Sequence, residues 1–320
     1  MNLGGTVHIN KKGVIVLICL SLIPFYYLFS DNTPKEINRI NLRKLLAVAV
    51  RAAEDGGREI VRIRDDVKVE SKGKTEEGAD DSVTTADYKS HCVMYGNLKY
   101  HFPSLTIISE EAGTKCEGVS LPKVDVELDN SVIDDWVNEE DVTVWIDPLD
   151  ATQEYTEKLY KYVTTMVCVA INGAPIIGIV HKPFFKNTSW AWVGQGSSFA
   201  SLKLPEGEKL KFIISRSHSG TVKELINNKF REKGVEIEPA GGAGYKVLEL
   251  VYGNANAYVH ITAIKKWDIC AGNAILHALG GKMTNVKDKF INYTSTSGAV
   301  NENGLIATLK NHQYYINLLQ

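Results

Sequence analysis

Two aspartates at the end of an apolar stretch are the residues whose spacing first suggests chemistry. Asp147 and Asp150 follow the apolar run 142–146 and are separated by Pro148 and Leu149. Two carboxylates at a strand end repel one another unless a cation lies between them. Pro148 fixes the turn and could free the Leu149 carbonyl oxygen as an additional ligand. Because Mg2+ prefers oxygen ligands, this segment predicts a magnesium site.

Further acids stand at similar places along the chain. Glu110 follows the apolar strand predicted at 105–109, and Asp268 begins a predicted helix. Thr152 would begin another helix, whose first amides point at an anion. Two Mg2+ ions a few ångströms apart can activate water and stabilise the leaving oxygen of a phosphate ester. Taken singly, each segment has a commoner role as a turn, a helix cap or a solvated loop, and only their joint occurrence predicts a phosphatase.

Three motifs in order, "ISEE", "DPLDAT" and "WDICAG", resemble the lithium-sensitive, Mg2+-dependent superfamily of inositol monophosphatases. The resemblance runs from about Leu42 to Leu309 and implies a layered α/β/α/β/α sugar-phosphatase fold, two or three Mg2+ ions and inhibition by Li+. The metal ligands that it implies are Glu110, Asp147, the Leu149 carbonyl, Asp150 and Asp268. The upstream "VTTAD" resembles another family element, which implies that Asp87 and Thr152 orient or deprotonate the attacking water.

Two later segments indicate a branch of this superfamily. "SRSH" (215–218) and "AGGAGYKVLEL" (240–250), followed by "KKWD", are more similar to the 3'(2'),5'-bisphosphate nucleotidases than to the inositol branch. The nucleotide-binding residues that this similarity implies are Ser215, His218, Gly242 and Lys246. Glycine permits close approach of a backbone to phosphate, and lysine supplies a point charge. Tyr245 departs from the pattern, since a small polar residue is expected there.

The implied reaction is removal of the 3'-phosphate of adenosine 3',5'-bisphosphate to give AMP and phosphate. One alternative is an inositol monophosphatase-type phosphatase, which "SRSH" and "GGAGYK" disfavour. A second alternative is a catalytically silent binding protein on the same fold. Because every matched acid and Thr152 are present, the sequence favours an enzyme.

The N-terminus predicts a membrane anchor. Lys11 and Lys12 precede the uncharged run 13–30, which is near the lower length limit of a transmembrane helix. This charge distribution predicts a short cytoplasmic tail, 1–12, and a lumenal body. A cleaved signal peptide is the alternative, although the run lacks a small-x-small cleavage pattern. Together with the nucleotidase resemblance, the anchor predicts a single-pass type II protein of the Golgi membrane.

Length and composition indicate a globular enzyme. The chain has 320 residues, of which 44% are hydrophobic and 23% charged, and these values suit two packed subdomains. A net charge of -2 argues against nonspecific binding to nucleic acid. Strands with glycine and proline turns precede residue 207, and alternating helices and strands follow it. We therefore predict an α+β metal-binding subdomain at 31–207 and an α/β nucleotide-binding subdomain at 208–320, with the active site between them.

Cysteines and sequons fit a lumenal body. Cys92, Cys116, Cys168 and Cys270 are too widely spaced for a zinc finger, and one disulfide is possible, with partners that spacing does not identify. Asn187 and Asn292 begin N-x-S/T triplets and are predicted glycosylation sites. Members of the resembled family often dimerise, which implies a homodimer.

Overall fold

The structure is a computed structural model. It describes residues 38–74, 80–116, 132–202, 204–205, 209–217, 221–230 and 234–319, together with residues 4, 10–14, 20 and 22. The chain forms two compact units, Met1–Ile37 and Asn38–Gln320. Most of the predicted anchor lies outside the described residues, and within the described part no helix has the length and apolar character needed to span a bilayer.

The second unit contains seven α-helices and seventeen strands among its described residues. Its helices are α1 (Leu42–Arg62), α2 (Thr85–His101), α3 (Thr152–Thr156), α4 (Val222–Lys229), α5 (Ala243–Val251), α6 (Lys266–Ala278) and α7 (His312–Leu319). Its strands are β1 (Arg39–Asn41), β2 (Val69–Lys74), β3 (Asp80–Thr84), β4 (Thr106–Ser109), β5 (Trp136–Asn138), β6 (Val142–Asp150), β7 (Thr164–Ile171), β8 (Ala174–Lys182), β9 (Asn187–Trp192), β10 (Gly196–Ser197), β11 (Leu210–Ser215), β12 (Val235–Ala240), β13 (Ala257–His260), β14 (Ile264–Lys265), β15 (Lys282–Thr284), β16 (Val300–Asn301) and β17 (Leu305–Thr308).

The first large sheet has the strand order β10-β9-β8-β7-β6-β4. Its neighbours are antiparallel except β4 and β6, which run parallel. Apolar residues of α1 and α2, including Leu45 and Leu98, pack in one core cluster with Val144 and Val167 of this sheet. Helical spacing of apolar residues in α1 predicts this buried face, and Asn41 caps the helix by accepting from the Lys44 amide at 2.9 Å.

The second large sheet has the order β12-β11-β13-β17-β15. One core cluster joins Trp145 of the first sheet and Ile213 of the second to Leu248 of α5 and Ile275 of α6, so these helices form the layer between the sheets. Residues of α4 and α7 pack with Phe212 in a separate cluster on the second sheet. These layers confirm the predicted α/β fold. The boundary predicted near residue 207 falls between the strands of the two sheets, and the subdomain assignment stays a proposal.

Helix α6, which carries Asp268, lies directly on the first sheet. A disulfide joins Cys270 of α6 to Cys168 of β7, and Gly178 of β8 stands opposite Cys168 in the strand register. A Cβ atom added at Gly178 would lie 2.1 Å from the backbone oxygen of Ala271. Only glycine leaves room for the helix at this point, so Gly178 sets how closely Asp268 approaches the sheet.

We expect Gly178→Ala to lower the free energy of unfolding by about 1–3 kcal/mol, because the helix backbone must move away from the added methyl group. Urea unfolding should show a lower midpoint with an unchanged slope. Gly196→Ala in β10 is the matched control, since a Cβ there would lie 3.8 Å from Val132, at ordinary contact distance. Equal midpoints for the two variants would contradict this close packing.

Two features differ from the sequence predictions. The polar, glycine-containing sequence that begins at Val69 predicts a loop, whereas the structure has the antiparallel pair β2 and β3 there. Four of the cysteines form two disulfides, Cys92–Cys116 and Cys168–Cys270, whereas the sequence indicates that one is possible. Their sequence separations of 24 and 102 residues show why spacing alone does not indicate the partners.

Candidate active site

Strand β6 brings both aspartates of "DPLD" into the protein interior. All nine of its residues are buried. Asp147 pairs with Met166 and Asp150 with Thr164, so an extra residue of β6 bulges at Pro148–Leu149. A bulge redirects side chains and accommodates proline in a strand. The Leu149 amide donates to the Asp147 carboxylate at 3.1 Å, which fixes the first aspartate against the turn.

Asp150 links this strand to the start of α5. Its carboxylate accepts from the amides of Ala243 at 3.0 Å and Gly244 at 2.9 Å, and from the Thr164 hydroxyl at 2.9 Å. These bonds hold the glycine-containing segment predicted to bind nucleotide directly beside the acidic turn. They also occupy three of about four lone-pair positions of the carboxylate, which leaves one position for a metal ion.

The predicted metal ligands lie close enough to repel one another. Burial raises the pKa of Asp147 well above its ordinary value, and the charges of Glu110, Asp150 and Asp268 raise it further. Burial likewise raises the pKa of Asp268, again with contributions from Glu110 and Asp150. The four carboxylates, which come from three segments of the chain, therefore influence one another's charge.

The donor set fits Mg2+ in chemistry and charge. The predicted ligands are all oxygen atoms, as this ion requires, and a cation among these carboxylates would offset their repulsion. The Leu149 carbonyl oxygen accepts from the Thr152 hydroxyl at 3.0 Å and retains a second lone pair. Within the described part of the chain, no three His, Cys, Asp or Glu side chains are already arranged to hold a metal ion.

Asp87 is fixed at the start of α2 by a capping box. One of its carboxylate oxygens accepts from the Thr84 amide at 2.7 Å and from the Thr84 hydroxyl at 2.6 Å. The other oxygen lies 3.0 Å from the Thr152 hydroxyl. Burial raises the pKa of Asp87 to about 6, although the hydrogen bonds from Thr84 oppose this shift. The capping role and the predicted catalytic role therefore use different oxygens of one carboxylate.

Thr152 lies between Asp87 and the DPLD turn. It begins α3, a helix of only five residues, directly after Ala151, which adopts a left-handed φ of 70°. Its hydroxyl is within hydrogen-bond distance of both the Asp87 carboxylate and the Leu149 carbonyl. Because a hydroxyl carries one proton, it donates fully to only one of them at a time.

The segments predicted to bind nucleotide share one sheet edge. Ser215 ends β11 and pairs in parallel with Ala240, which ends β12 and precedes Gly242. Gly242 has a φ of 67°, where its lack of a Cβ avoids strain. Ser215 and Gly242 are thus brought together, whereas His218 lies outside the described residues.

Lys246 lies deeper than a surface phosphate ligand would. Its side chain is buried, and its ammonium group donates to the carbonyl of Gly242 at 2.7 Å. Burial lowers the pKa of Lys246 to about 8, while Asp150, Glu154 and Asp268 act to raise it. In the described structure Lys246 is therefore a counter-charge to nearby acids, among them Asp150 and Asp268. These two residues, with Glu110 and Asp147, are called the acidic cluster below.

Comparison with known proteins identifies the family. The sequence profile named "Inositol monophosphatase family" matches residues 41–320. The chain belongs to the inositol monophosphatase family. The Golgi-resident adenosine 3',5'-bisphosphate 3'-phosphatase of Rattus norvegicus is 47% identical, covering 98% of this chain and 96% of the relative. Inositol monophosphatase 3 of Danio rerio is 43% identical, covering 95% of this chain and 93% of the relative.

The fold is also shared with solved structures. The crystal structure of extragenic suppressor protein suhB from Bartonella henselae is 18% identical, with a TM-score of 0.64. The alignment covers 86% of this chain and 96% of that protein. At this identity the likeness concerns the fold alone, and it agrees with the layering of helices and sheets described above.

The sequence did not predict two residues that lie near the site, Glu111 and Arg216. Glu111 is buried, and its charge contributes to the raised pKa of Asp87. Arg216, inside "SRSH", forms ion pairs with Glu154 at 3.3 Å and Glu157 at 2.5 Å, which tie the end of β11 to α3. The doubled glutamate of "SEE" was a visible signal for Glu111, whereas nothing local indicates the partners of Arg216.

Tyr245, which departs from the expected small polar residue, is surrounded by an aromatic ring and a lysine. Tyr245 packs edge-on against Tyr162, with ring centroids 4.9 Å apart, in the core between the sheets. The ammonium of Lys182 lies 5.2 Å from the Tyr245 ring centroid.

Asn187 and Asn292 are both exposed, as glycosylation requires, and their modification stays a prediction.

Proposed function

We propose that this protein is a Mg2+-dependent phosphatase that removes the 3'-phosphate of adenosine 3',5'-bisphosphate, giving AMP and phosphate. The observation that carries the proposal is the contact of Asp150 with the amides of Ala243 and Gly244. It joins the acidic turn to the segment that resembles a nucleotide-binding element. The relative from Rattus norvegicus, whose name specifies this substrate, supports the same activity.

The acidic residues would hold the metal. Glu110, Asp147, Asp150, Asp268 and the Leu149 carbonyl are the proposed ligands of two or three Mg2+ ions. Bound Mg2+ would supply positive charge that polarises a water molecule and stabilises the departing 3'-oxygen. Gly242, with Ser215 and His218, would bind the nucleotide and its 5'-phosphate. Lys246 would contribute positive charge from beneath this segment.

Asp87 and Thr152 would handle the proton. With Asp87 ionised, the Thr152 hydroxyl would donate to its carboxylate. As the Thr152 oxygen accepts a proton from the attacking water, the original Thr152 proton would pass to Asp87, so that Thr152 stays neutral and Asp87 ends protonated. Ionisation of Asp87 is thus required for activity. Because burial raises its pKa to about 6, this requirement becomes limiting as the pH falls toward that value.

A substrate panel tests the proposal against the inositol alternative, which the name of the Danio rerio relative supports. Full-length protein in detergent with Mg2+ would receive adenosine 3',5'-bisphosphate or inositol 1-phosphate, and phosphate release would be measured. We expect a kcat/KM at least about 100-fold higher for the nucleotide, because an inositol ester leaves the nucleotide-binding groups unpaired. Equal or faster release from the inositol ester would move the protein to the inositol branch, and no release from either substrate would favour a silent binding protein.

We propose that the catalytic body lies in the Golgi lumen behind the anchor at 13–30. The disulfides Cys92–Cys116 and Cys168–Cys270 support an oxidising compartment, since such bonds are rare in the cytosol. The name of the Rattus norvegicus relative supports Golgi residence. A homodimer and glycans at Asn187 and Asn292 remain part of this proposal.

A further inference from the structure

Three consecutive residues of α2 each contact a different segment near the acidic cluster. The Ser90 hydroxyl donates to the Pro148 carbonyl at 2.6 Å and so holds the DPLD turn. The His91 imidazole Nδ1 lies 2.7 Å from the Ser109 hydroxyl, and Cys92 forms the disulfide with Cys116. All three residues of α2 are buried. Helix α2 therefore does more than present Asp87 at its first turn.

The segment 109–116, which carries Glu110, is attached to α2 at both ends. The His91–Ser109 hydrogen bond holds its beginning, and the disulfide from the neighbouring Cys92 holds its end. Between these points the chain turns twice, with Ala112 donating to the Ser109 carbonyl at 3.3 Å and Thr114 to the Glu111 carbonyl at 3.0 Å. Two adjacent residues of one helix thus hold the segment that carries Glu110.

Ser109 transmits the contact from His91 to the glutamates. Its hydroxyl also accepts from the Glu111 amide at 3.3 Å. The Glu110 amide reaches the Ile146 carbonyl only at 3.4 Å, which is long for a backbone hydrogen bond. The contact between His91 and the Ser109 hydroxyl, at 2.7 Å, is shorter than this link to β6 and restrains the start of the turn.

His91 acts here as a neutral hydrogen-bonding group. Burial lowers its pKa to about 4, so the imidazole is uncharged at pH 7. A neutral imidazole can donate or accept at Nδ1, and the hydroxyl can complete either arrangement while still accepting from the Glu111 amide. A side chain that keeps a polar atom at the Nδ1 position should therefore preserve the contact.

We propose that His91 is a positioning residue that holds Glu110 in place for metal binding through the Ser109 hydroxyl. The inference rests on the proposed metal-dependent function and names a residue outside the ligand set. It follows the general behaviour of hydrogen-bond partners that orient metal ligands, whose loss weakens metal affinity by about 10–100-fold.

The experiment is direct Mg2+ titration by calorimetry, without substrate, on full-length protein in detergent. His91→Leu fills the same buried space without a polar atom, and we expect at least about tenfold weaker Mg2+ binding. His91→Asn retains a polar atom near the Nδ1 position and should bind within about twofold of wild type. His312→Leu is the matched control, because His312 is also buried between threonine hydroxyls, at 2.9 Å from Thr284 and 3.2 Å from Thr308.

The outcomes separate the inference from the function on which it rests. If the wild-type protein binds no Mg2+, the proposed function itself is wrong. Mg2+ binding by wild type with unchanged affinity in His91→Leu would overturn only the role of His91, as would an equal loss in His312→Leu. If His91→Leu does not fold, Ser109→Ala replaces it, since the smaller change removes the same bond. Unchanged Mg2+ affinity in Ser109→Ala would then overturn the inference.

Discussion

Asp147→Asn should lower kcat for phosphate release by about 1,000-fold or more, because it would remove a proposed ligand of Mg2+, whose charge would contribute several kcal/mol of transition-state stabilisation. The same substitution should raise the free energy of unfolding when Mg2+ is absent. Asp147 is fully buried, and Glu110, Asp150 and Asp268 repel its charge. Asparagine removes that charge, and its side-chain oxygen can still accept from the Leu149 amide, which lies 3.1 Å from the carboxylate in the wild-type protein.

The pH dependence of stability follows from the raised pKa of Asp147. Between its ordinary value in the unfolded chain, about 3.9, and the higher folded value, the folded protein binds more protons than the unfolded chain. The free energy of unfolding therefore rises as the pH falls through the folded pKa, and it levels off below the unfolded one. In Asp147→Asn this contribution to the slope should be missing.

Urea unfolding with and without Mg2+ between pH 5 and 8 measures both effects. Mg2+ should stabilise the wild type by mass action and should stabilise Asp147→Asn far less. The exposed Asp135 supplies the control, and Asp135→Asn should change neither turnover nor the pH slope. If Asp147→Asn retained wild-type turnover, the assignment of Asp147 as a metal ligand would be wrong.

The acidic cluster was predictable because each of its members follows a recognisable local pattern. Asp147 and Asp150 end the apolar strand that became β6, Glu110 follows β4 and Asp268 lies in the first turn of α6. Strand periodicity and helix-start signals locate such positions without any knowledge of the tertiary fold. The order of the motifs then indicated the family, and the family profile confirmed it.

Features that depend on long-range contacts were beyond the sequence. Cys168 and Cys270 are 102 residues apart, and the partners of Arg216 are 62 and 59 residues away along the chain. Lys246 has the same sequence signature whether it points to solvent or into the core, and its burial follows from the packing of α5 between the sheets. Burial of polar residues is set by tertiary packing, which periodicity does not encode for single positions.

Thr152→Val should lower kcat by about 100- to 10,000-fold, the range expected when a proton-transfer group is lost, with little change in KM. Valine keeps the shape of the side chain and removes the hydroxyl that lies 3.0 Å from both the Asp87 carboxylate and the Leu149 carbonyl. Thr152→Ser retains the hydroxyl and should keep most of the activity. Comparing the two variants therefore separates the contribution of the hydroxyl to kcat from any effect on the packing of α3.

Asp87→Asn should cause a loss of similar size, because both residues are proposed to act on one proton. If they form a unit, the double variant should be no slower than the worse single variant, since removing one member already disables the other. The wild-type rate should fall as the pH drops toward the Asp87 pKa of about 6, or toward a lower value with bound cations nearby, and Asp87→Asn should lack this acidic limb. Additive losses in the double variant would show that Asp87 and Thr152 contribute independently, which would contradict their action on one proton.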